Sequence, residues 1–385
     1  MNQDKKPEWV DPNNQDGFAS SLKPGVELDA GHNKASKSRF IKKKNERISI
    51  PELKDGILTG ERAKLAKGIT LVESNAEHHF ELAQELLHSI LPHTGSSLRI
   101  GISGVPGAGK STFIETFGTF LCNKGYKVAV LAVDPSSSIN GGSILGDKTR
   151  MEELARNPQA FIRPSPSEGT LGGVHRKTRE TMLLCEAAGF DVILIETVGV
   201  GQSEAIVRSM VDFFMLLVLT GAGDELQGMK KGIMELVDGI VVNKADGENI
   251  PLANRTRSEY SRILHFLQPA TKGWAGKAYT CSSVTGKGIP EIWDVLQEFS
   301  QTTKLSGVFQ ERRRMQSKEW LYSLMDHQLK TMFYKNDTVK GLLPKLENEV
   351  MSGNKTVTKA VQQAFQSFSE SLSSNECGPT DNERI

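Results

Sequence analysis

The apolar positions in the middle of the chain follow two alternating periods. Between residues 98 and 300, short runs rich in β-branched and apolar residues alternate with longer stretches of amphipathic helical spacing. Several runs are apolar at every position, as expected of strands that helices cover on both faces. The alternation predicts an α/β fold with a mainly parallel sheet flanked by helices. The predicted strands are Arg99–Ser103, Lys127–Val133, Asp191–Glu196, Phe213–Leu219, Gly239–Val242 and Ala278–Cys281.

Helical periodicity on both sides of this region predicts further helices. From Leu53 to Leu91 the apolar residues recur at helical spacing, which indicates two or three helices, and the same spacing returns from Lys304 to Phe368. Both termini are polar and lack sustained apolar periodicity, which is typical of segments without a core. We therefore expect a flexible extension at 1–50, an N-terminal helical segment at 51–94, a sheet domain at 95–300, a helical arm at 301–368 and a disordered tail at 369–385.

Composition argues against two classes of partner. The 385 residues carry 47 Lys and Arg against 46 Asp and Glu, a formal net charge of +1. Because no global field attracts polyanions, we expect no nucleic-acid partner. The longest apolar run, Phe213–Leu219, is far shorter than the ~20 residues that span a bilayer, so we expect no membrane association. The four cysteines are scattered, which is typical of free thiols in a reducing compartment.

A phosphate-binding loop follows the first predicted strand. The residues from Gly104 to Ser111 fit G-x-x-x-x-G-K-[ST] at every fixed position, in the strand–loop–helix setting that the motif requires. Backbone N–H groups of such a loop surround the β-phosphate, Lys110 would bridge the β- and γ-phosphates, and the Ser111 hydroxyl would bind Mg²⁺. The helix that follows adds the positive end of its dipole. The candidate nucleotide-binding residues here are Gly104, Val105, Pro106, Gly107, Ala108, Gly109, Lys110, Ser111 and Thr112.

Two carboxylates follow the second and third predicted strands, at the edge where ligands of such sheets bind. Asp134 and Glu196 are candidates to hold Mg²⁺, partly through water, or to orient the attacking water. Gly199 could donate its N–H to the γ-phosphate and serve as a switch hinge, while Gln202 could orient water. The alternatives are strand-end capping for the carboxylates and a solvated loop position for Gln202. The candidate catalytic residues are Lys110, Asp134, Glu196 and Gln202.

An N-K-x-D sequence after the fifth predicted strand indicates a guanine site. Asp246 can accept hydrogen bonds from guanine N1–H and the exocyclic amine, Asn243 can meet the other edge of the ring, and the Lys244 stem can lie along the base. Adenine would leave that carboxylate unpaired, and such a site can discriminate by up to ~10⁴-fold. Ser282 and Ser283, after the sixth predicted strand, could support the base through backbone N–H groups. An ordinary strand-to-turn segment explains these two serines equally well.

Three other runs are specific enough to compare with known families. They span residues 161–173, 195–204 and 223–228 and read FIRPSPSEGTLGG, IETVGVGQSE and GDELQG. These runs resemble those of the methylmalonic aciduria type A protein family, whose bacterial members were once called arginine/ornithine transport ATPases. The similarity extends over about residues 53–368.

The resemblance implies a homodimeric P-loop GTPase of the signal-recognition-particle and metallochaperone class that uses Mg²⁺ and converts GTP to GDP. Its implied client is adenosylcobalamin-dependent methylmalonyl-CoA mutase, whose cofactor loading it gates and whose inactivation it limits. The resemblance also implies that the helical arm mediates dimerisation and that segments 163–180 and 221–232 are switch loops. The residues to which the resemblance assigns the roles above are Lys110, Ser111, Asp134, Glu196, Gly199, Asn243 and Asp246.

Several charged positions have no clear assignment. The family usually has a basic residue where this chain has Glu168, so the resemblance assigns this side chain no role toward phosphate or partner. Nearby cations are more often solvated or remote from phosphate than functional. They are Arg163, Arg176, Lys177, Arg179, Lys230 and Lys231. The run Arg312-Arg313-Arg314 is most simply a solvated helix face.

Three classes of function fit these observations. A GTP-driven chaperone of the mutase is favoured; a P-loop kinase connected with transport and a metal-insertase GTPase are the alternatives. A guanine-specific loop argues against an ATP-dependent kinase, and no His-rich or Cys-containing metal segment accompanies the motifs. Family members in animals are mitochondrial and those in bacteria cytoplasmic, so we expect the mitochondrial matrix or the cytoplasm, according to the source, and no secretion.

Overall fold

A seven-stranded parallel sheet forms the centre of the computed structural model, which describes residues 49–133, 151–164, 171–197, 203–220 and 231–376. The strands lie in the order β3-β2-β4-β1-β5-β6-β7, and every neighbouring pair is parallel. The carboxyl ends of all strands therefore meet at one edge. The strands are β1 (Leu98–Gly104), β2 (Val128–Val133), β3 (Ala160–Arg163), β4 (Val192–Thr197), β5 (Phe213–Val218), β6 (Gly239–Val242) and β7 (Lys277–Thr280).

The six predicted strands are confirmed, and one strand was missed. The missed strand, β3, has four residues and pairs only with β2 at the edge of the sheet. Its apolar run, Ala160 to Ile162, has only three residues, which is too short to indicate a strand from the sequence. In the structure only Ala160 of this run is fully buried. The fold class follows from the interior strands, which are buried at every position in β2, β4, β5 and β6.

The described residues form thirteen α-helices in addition to the sheet. Proline in the first turn marks the start of three of them, at Pro51, Pro251 and Pro290, where no N–H partner is needed. The helices are α1 (Ile50–Leu58), α2 (Arg62–Glu73), α3 (Glu77–Ile90), α4 (Lys110–Asn123), α5 (Glu152–Arg156), α6 (Leu171–Ala187), α7 (Ser203–Arg208), α8 (Lys231–Met234), α9 (Ile250–Phe266), α10 (Ile289–Leu305), α11 (Val308–Lys335), α12 (Asp337–Met351) and α13 (Val357–Glu376). Short 3₁₀ turns occupy Leu91–His93 and Gly247–Asn249.

The apolar core has two layers, one on each face of the sheet. On one face, α1, α2 and α3 pack against α6, and Ile57, Ile69 and Leu86 are completely buried there. On the other face, α4 packs against α10, with the rings of Phe117 and Trp293 6.2 Å apart. The three N-terminal helices therefore share the core of the sheet. The described cysteines, Cys122, Cys185 and Cys281, are buried free thiols.

The helical arm consists of α11, α12 and α13. Helix α11 has 28 residues, about 42 Å of helix, yet buries only Phe309 and Gln316. Farther along, the ring of Phe333 contacts the rings of Phe365 and Phe368 at 4.7 and 5.3 Å, which joins α11 to α13. Within the described ranges, no helix is long and apolar enough to cross a membrane.

The base of the arm is attached to the sheet domain by buried ion pairs. Arg313 donates from Nε and Nη2 to the two carboxylate oxygens of Asp212 at 2.8 and 2.7 Å, and also to the carbonyl oxygens of Gly95 and Ser97. Arg312 donates to Thr271 Oγ1 at 2.7 Å. The expectation that Arg312, Arg313 and Arg314 form one solvated face is wrong for the first two, whose side chains are only 15% and 11% exposed.

A second buried carboxylate completes this attachment. Asp238 is 1% exposed and accepts from Arg208 Nη1 at 2.7 Å, from Thr271 Oγ1 at 2.6 Å and from the Phe214 N–H at 2.9 Å. Because Thr271 also accepts from Arg312, this network joins the end of α7 to the start of the arm.

Replacing Arg313 with Ala should lower the free energy of unfolding by about 3 kcal/mol, because Asp212 would stay buried without its guanidinium partner. Urea-induced unfolding at a fixed protein concentration measures this change. Arg314, the exposed neighbour, is the matched control, and Arg314→Ala should stay within about 0.5 kcal/mol of the parent chain. Equal unfolding midpoints for the two variants would contradict a stabilising role for the ion pair between Arg313 and Asp212.

Candidate functional site

The loop between β1 and α4 lies at the carboxyl edge of the sheet, as the sequence predicts for a phosphate-binding loop. Glycine is required at two positions of this loop, because neighbouring atoms lie too close to leave room for a side chain. A Cβ on Gly104 would lie 2.4 Å from the Leu217 carbonyl oxygen, and one on Gly109 would lie 2.8 Å from Asn243 Nδ2. Gly109 also has φ +83°, a left-handed conformation that L side chains avoid, directly before the first residue of α4.

Lys110 folds back across this loop. Its Nζ donates to the carbonyl oxygens of Gly104 and Val105 at 2.8 and 3.4 Å. Burial lowers the pKa of Lys110, and the carboxylates of Glu196 and Glu204 oppose that shift. A partly buried ammonium at the N-terminus of a helix favours the arrival of an anion, because the anion compensates the charge that burial destabilises.

Ser111 and Glu196 meet beside Lys110. The Ser111 hydroxyl donates to Glu196 Oε1 at 3.4 Å, and Glu196, near the end of β4, is 4% exposed. The register of the sheet explains this contact, because Glu196 of β4 pairs with Ile102 of β1, the strand that leads into the loop. A buried carboxylate and a hydroxyl together provide the oxygen donors that Mg²⁺ prefers.

Only some of the other residues predicted for the phosphate end lie within the described ranges. Ala108 is buried, and Pro106, Gly107 and Thr112 are exposed at the loop surface. Asp134, Gly199 and Gln202 lie outside the described residues, as do Glu168 and Lys230. Glu204 was missed by sequence analysis: it is 5% exposed at the start of α7 and acts on the charge of Lys110. Nothing in the spacing of the motifs marked this second carboxylate.

Asn243 joins the phosphate end of the site to the loop after β7. Its Nδ2 donates to the Ala108 carbonyl oxygen at 2.8 Å, and its Oδ1 accepts from the N–H and hydroxyl of Ser283 at 3.2 and 2.8 Å. The side chain is 1% exposed. In the structure both polar atoms of this amide bind the protein, and they connect the two loops. The Ala108 contact uses one of the two N–H groups of Nδ2, and the contact of Asn243 with the base stays a prediction.

Asp246 is held at the base end of the site by Ser282. The Ser282 hydroxyl donates to Asp246 Oδ2 at 2.5 Å and accepts from the Thr285 N–H at 3.1 Å. A serine at this position thus orients the carboxylate, which is a role that its sequence position alone did not indicate. Ser283, next to it, binds Asn243 as described above.

Lys244 has the only positive φ, +58°, of any described non-glycine residue. The side chain is exposed, and the Asn249 side chain donates to the Lys244 carbonyl oxygen at 2.6 Å. Asn249 in turn accepts from the Thr220 hydroxyl at 2.8 Å. Strained backbone of this kind persists only where the surroundings hold it, and it concentrates at functional sites.

The cations of the predicted switch segment 163–180 make contacts within the protein. Arg163 pairs with Glu73 of α2, and Lys177 donates to Asn75 Oδ1 at 2.8 Å. Arg179 is 8% exposed and donates to the carbonyl oxygens of Ser209 and Gln316. The partners of these side chains lie outside the loop between β1 and α4, and Lys177 and Arg179 are buried rather than solvated.

Comparison with known proteins agrees with this geometry. The profile of the family described as methylmalonyl-CoA mutase-associated GTPase MeaB matches residues 65–338. A putative GTPase of Caulobacter vibrioides is 49% identical over 321 residues, covering 83% of this chain and 98% of that protein. The mitochondrial methylmalonic aciduria type A homolog of Mus musculus is 45% identical over 333 residues, covering 84% of this chain and 80% of that protein.

A solved structure supports the fold. The crystal structure described as LAO/AO transport system kinase superposes with a TM-score of 0.68 at 39% sequence identity, covering 83% of this chain and 98% of that one. The α/β fold predicted from the sequence is therefore confirmed, and so is the resemblance on which the family expectation rested.

Replacing Asp246 with Asn should weaken GTP binding by on the order of 10²-fold and leave the fold intact. The amide loses the charge-assisted hydrogen bonds to guanine, each worth about 1.5–3 kcal/mol, whereas its NH₂ suits the carbonyl of xanthine. Titration with fluorescent GTP and XTP analogues measures both affinities. Asp294→Asn, an exposed aspartate on α10, is the control. Unchanged GTP affinity in Asp246→Asn would rule out this carboxylate as the guanine acceptor.

Proposed function

Since the chain belongs to the family of methylmalonyl-CoA mutase-associated GTPases, we propose that it is a GTP-hydrolysing chaperone of adenosylcobalamin-dependent methylmalonyl-CoA mutase. GTPase activity is that of the family. We propose in addition that GTP hydrolysis controls two processes: the loading of the mutase with its cofactor, and the protection or reactivation of the loaded enzyme. Hydrolysis then acts as a timer for the conformation of the partner.

The observation that carries the nucleotide assignment is the connection between the two ends of the site. Lys110 and Ser111 begin α4 at the phosphate end, and Ser282 holds Asp246 at the base end. Asn243 hydrogen-bonds to both loops and fixes their separation. A phosphate-binding loop linked in this way to a carboxylate acceptor supports binding of a guanine nucleotide, whose base offers two adjacent donors.

In the proposed mechanism, phosphates displace the carbonyl contacts of Lys110. The ammonium then neutralises negative charge on the β- and γ-phosphates, and the first N–H groups of α4 bind their oxygens. Ser111 and Glu196 would hold Mg²⁺, which supplies further charge neutralisation when bound. The negative charge of Glu204 favours the charged form of the Lys110 ammonium. Asp134 and Gln202 remain candidates to orient the attacking water, and Gly199 a candidate γ-phosphate donor.

A kinase is the second candidate, because the similar crystal structure is described as a transport system kinase. Both functions use the same phosphate end. They differ at the base end, where Asp246 can accept from the N1–H and 2-amino groups of guanine. Adenine has an unprotonated N1 and no 2-amino group, so it offers neither donor to this carboxylate. A metal-insertase GTPase would share the base preference and differ in its partner. Nucleotide preference and partner response therefore separate these possibilities.

We assign the arm to homodimer formation. On α11, Tyr322, Met325, Leu329 and Met332 follow one another at spacings of three and four residues and are 45–62% exposed. On α13, Val357, Val361 and Phe365 repeat every four residues and are 51–64% exposed. Contiguous exposed apolar stripes mark interaction surfaces, and spacing of this kind suits packing against another helix.

The proposed compartment follows the relatives. Those from Mus musculus and Caenorhabditis elegans carry the description mitochondrial, so we propose the mitochondrial matrix for a eukaryotic source and the cytoplasm for a bacterial one.

Replacing Leu329 with Asp should shift the chain from dimer to monomer, because a carboxylate on the apolar stripe would be buried unpaired in the dimer interface. Sedimentation velocity over a concentration series measures the change. Lys330→Asp is the matched control, since Lys330 is exposed and lies outside the stripe. A parent chain that sediments as a monomer throughout would contradict the assignment, and so would identical dimerisation of the two variants.

GTP turnover by the purified chain should rise when methylmalonyl-CoA mutase is added, because the proposed partner stabilises the hydrolysis-competent site. A tenfold rise corresponds to about 1.4 kcal/mol of transition-state stabilisation, and we expect a change of that order. Lys110→Ala, with the mutase present, controls for contaminating hydrolases. Turnover that ignores the mutase would contradict the proposed client, and a preference for ATP would favour the kinase.

A further inference from the structure

Helix α4 reaches the base end of the site as well as the phosphate end. Thr116 Oγ1 donates to the carbonyl oxygen of Ser283 at 2.6 Å, a contact between residues 167 positions apart in the chain. From this contact we infer that Thr116 is a positioning residue for guanine recognition: it fixes the loop that orients Asp246. The inference rests on the nucleotide site proposed above and adds to it a residue outside the nucleotide motifs.

Thr116 lies too far along α4 to touch phosphate. It follows Lys110 by six residues, which is about 9 Å along the helix axis. The first turn of α4 thus serves the phosphate end through Lys110 and Ser111, and the second turn serves the base end through Thr116. One rigid helix sets the positions of both ends.

The contact closes a ring of hydrogen bonds. Ser283 donates to Asn243 Oδ1, Asn243 Nδ2 donates to the Ala108 carbonyl oxygen, and Ala108 leads through Gly109 into α4. Thr116, on the same helix, returns to Ser283. Without the Thr116 hydroxyl, the loop after β7 keeps its hydrogen bonds to Asn243 but loses its direct hydrogen bond to α4.

The ring of hydrogen bonds is connected to Asp246 through the peptide bond between Ser282 and Ser283. Ser283 is 5% exposed, and the preceding residue, Ser282, donates to the Asp246 carboxylate at 2.5 Å. A shift of the Ser283 peptide therefore moves the hydroxyl that orients the guanine acceptor. The effect should fall on recognition of the base and leave the contacts of the phosphate end in place.

A neighbouring threonine shows that a hydroxyl on this helix does not by itself create such a link. Thr119 lies one turn after Thr116, and its Oγ1 is buried with no hydrogen-bond partner within the described part of the chain. The two residues share a helix and a side-chain type, and they differ in the cross-loop hydrogen bond. Thr119 is therefore the matched control position.

The experiment measures dissociation of fluorescent GDP and fluorescent IDP from the full chain by stopped flow. IDP lacks the exocyclic amine, so it can offer Asp246 one donor where GDP offers two. Loss of one neutral hydrogen bond changes an equilibrium by roughly twofold to tenfold. We expect Thr116→Val to release GDP about fivefold faster and to reduce the advantage of GDP over IDP.

Two further variants make the result specific. Thr116→Ser keeps the hydroxyl and should restore the dissociation rate of GDP, whereas Thr119→Val should leave it unchanged. Thr116→Ala removes the same hydroxyl without the branched side chain and replaces Thr116→Val if that variant does not fold.

Three outcomes would overturn the inference. The first is a GDP dissociation rate that Thr116→Val does not change. The second is an equal acceleration for GDP and IDP, or the same effect from Thr119→Val, because either would reflect general loosening of α4. The third is a parent chain that binds neither nucleotide, which would also refute the proposed site and is thereby distinguishable from the first two.

Discussion

A single buried amide joins the two halves of the candidate site. Asn243 stands at the end of β6, between the loop that precedes α4 and the loop that follows β7, and it is 1% exposed. A desolvated amide is costly unless both of its ends are hydrogen-bonded, and here each end binds a different loop. The planar side chain therefore constrains their separation, together with the hydrogen bond from Thr116 to Ser283. Gly109 is part of this constraint, because any Cβ there would displace the amide.

Sequence reasoning succeeded where local pattern decides the structure. Interior strands such as β5 are apolar throughout, and the loop before α4 is specified by its glycines and Lys110. It failed where distant residues decide. Arg313 looks solvated within its own helix, since its partner Asp212 lies 101 positions away in the chain. The hydrogen bonds of Asn243 to Ala108 and Ser283 likewise join residues far apart in the chain, and no local pattern marks them.

The same distinction applies to Arg179, a cation buried where three elements meet. It extends from α6 to the Ser209 carbonyl after α7 and to the Gln316 carbonyl in α11, and its guanidinium lies 5.5 Å from the centre of the Trp320 ring. Burial lowers the pKa of Arg179 to about 10. Removing the guanidinium from water is unfavourable, and its hydrogen bonds to the carbonyl oxygens offset this desolvation. Buried polar contacts have strict geometry, and they fix the direction in which α11 leaves the domain.

The arm and the N-terminal helices are attached in opposite ways. Helices α1 to α3 bury their apolar faces against α6, and hydrophobic burial holds them. Helix α11 is attached mainly by hydrogen bonds and ion pairs of Arg312, Arg313 and Gln316. Phe309 is its one apolar residue buried in the core, and most of its other apolar residues are exposed. A helix attached by polar contacts keeps its apolar stripe available. In the proposed homodimer, burial of this stripe against the second chain would remove its apolar surface from water, and that burial would supply the free energy of association.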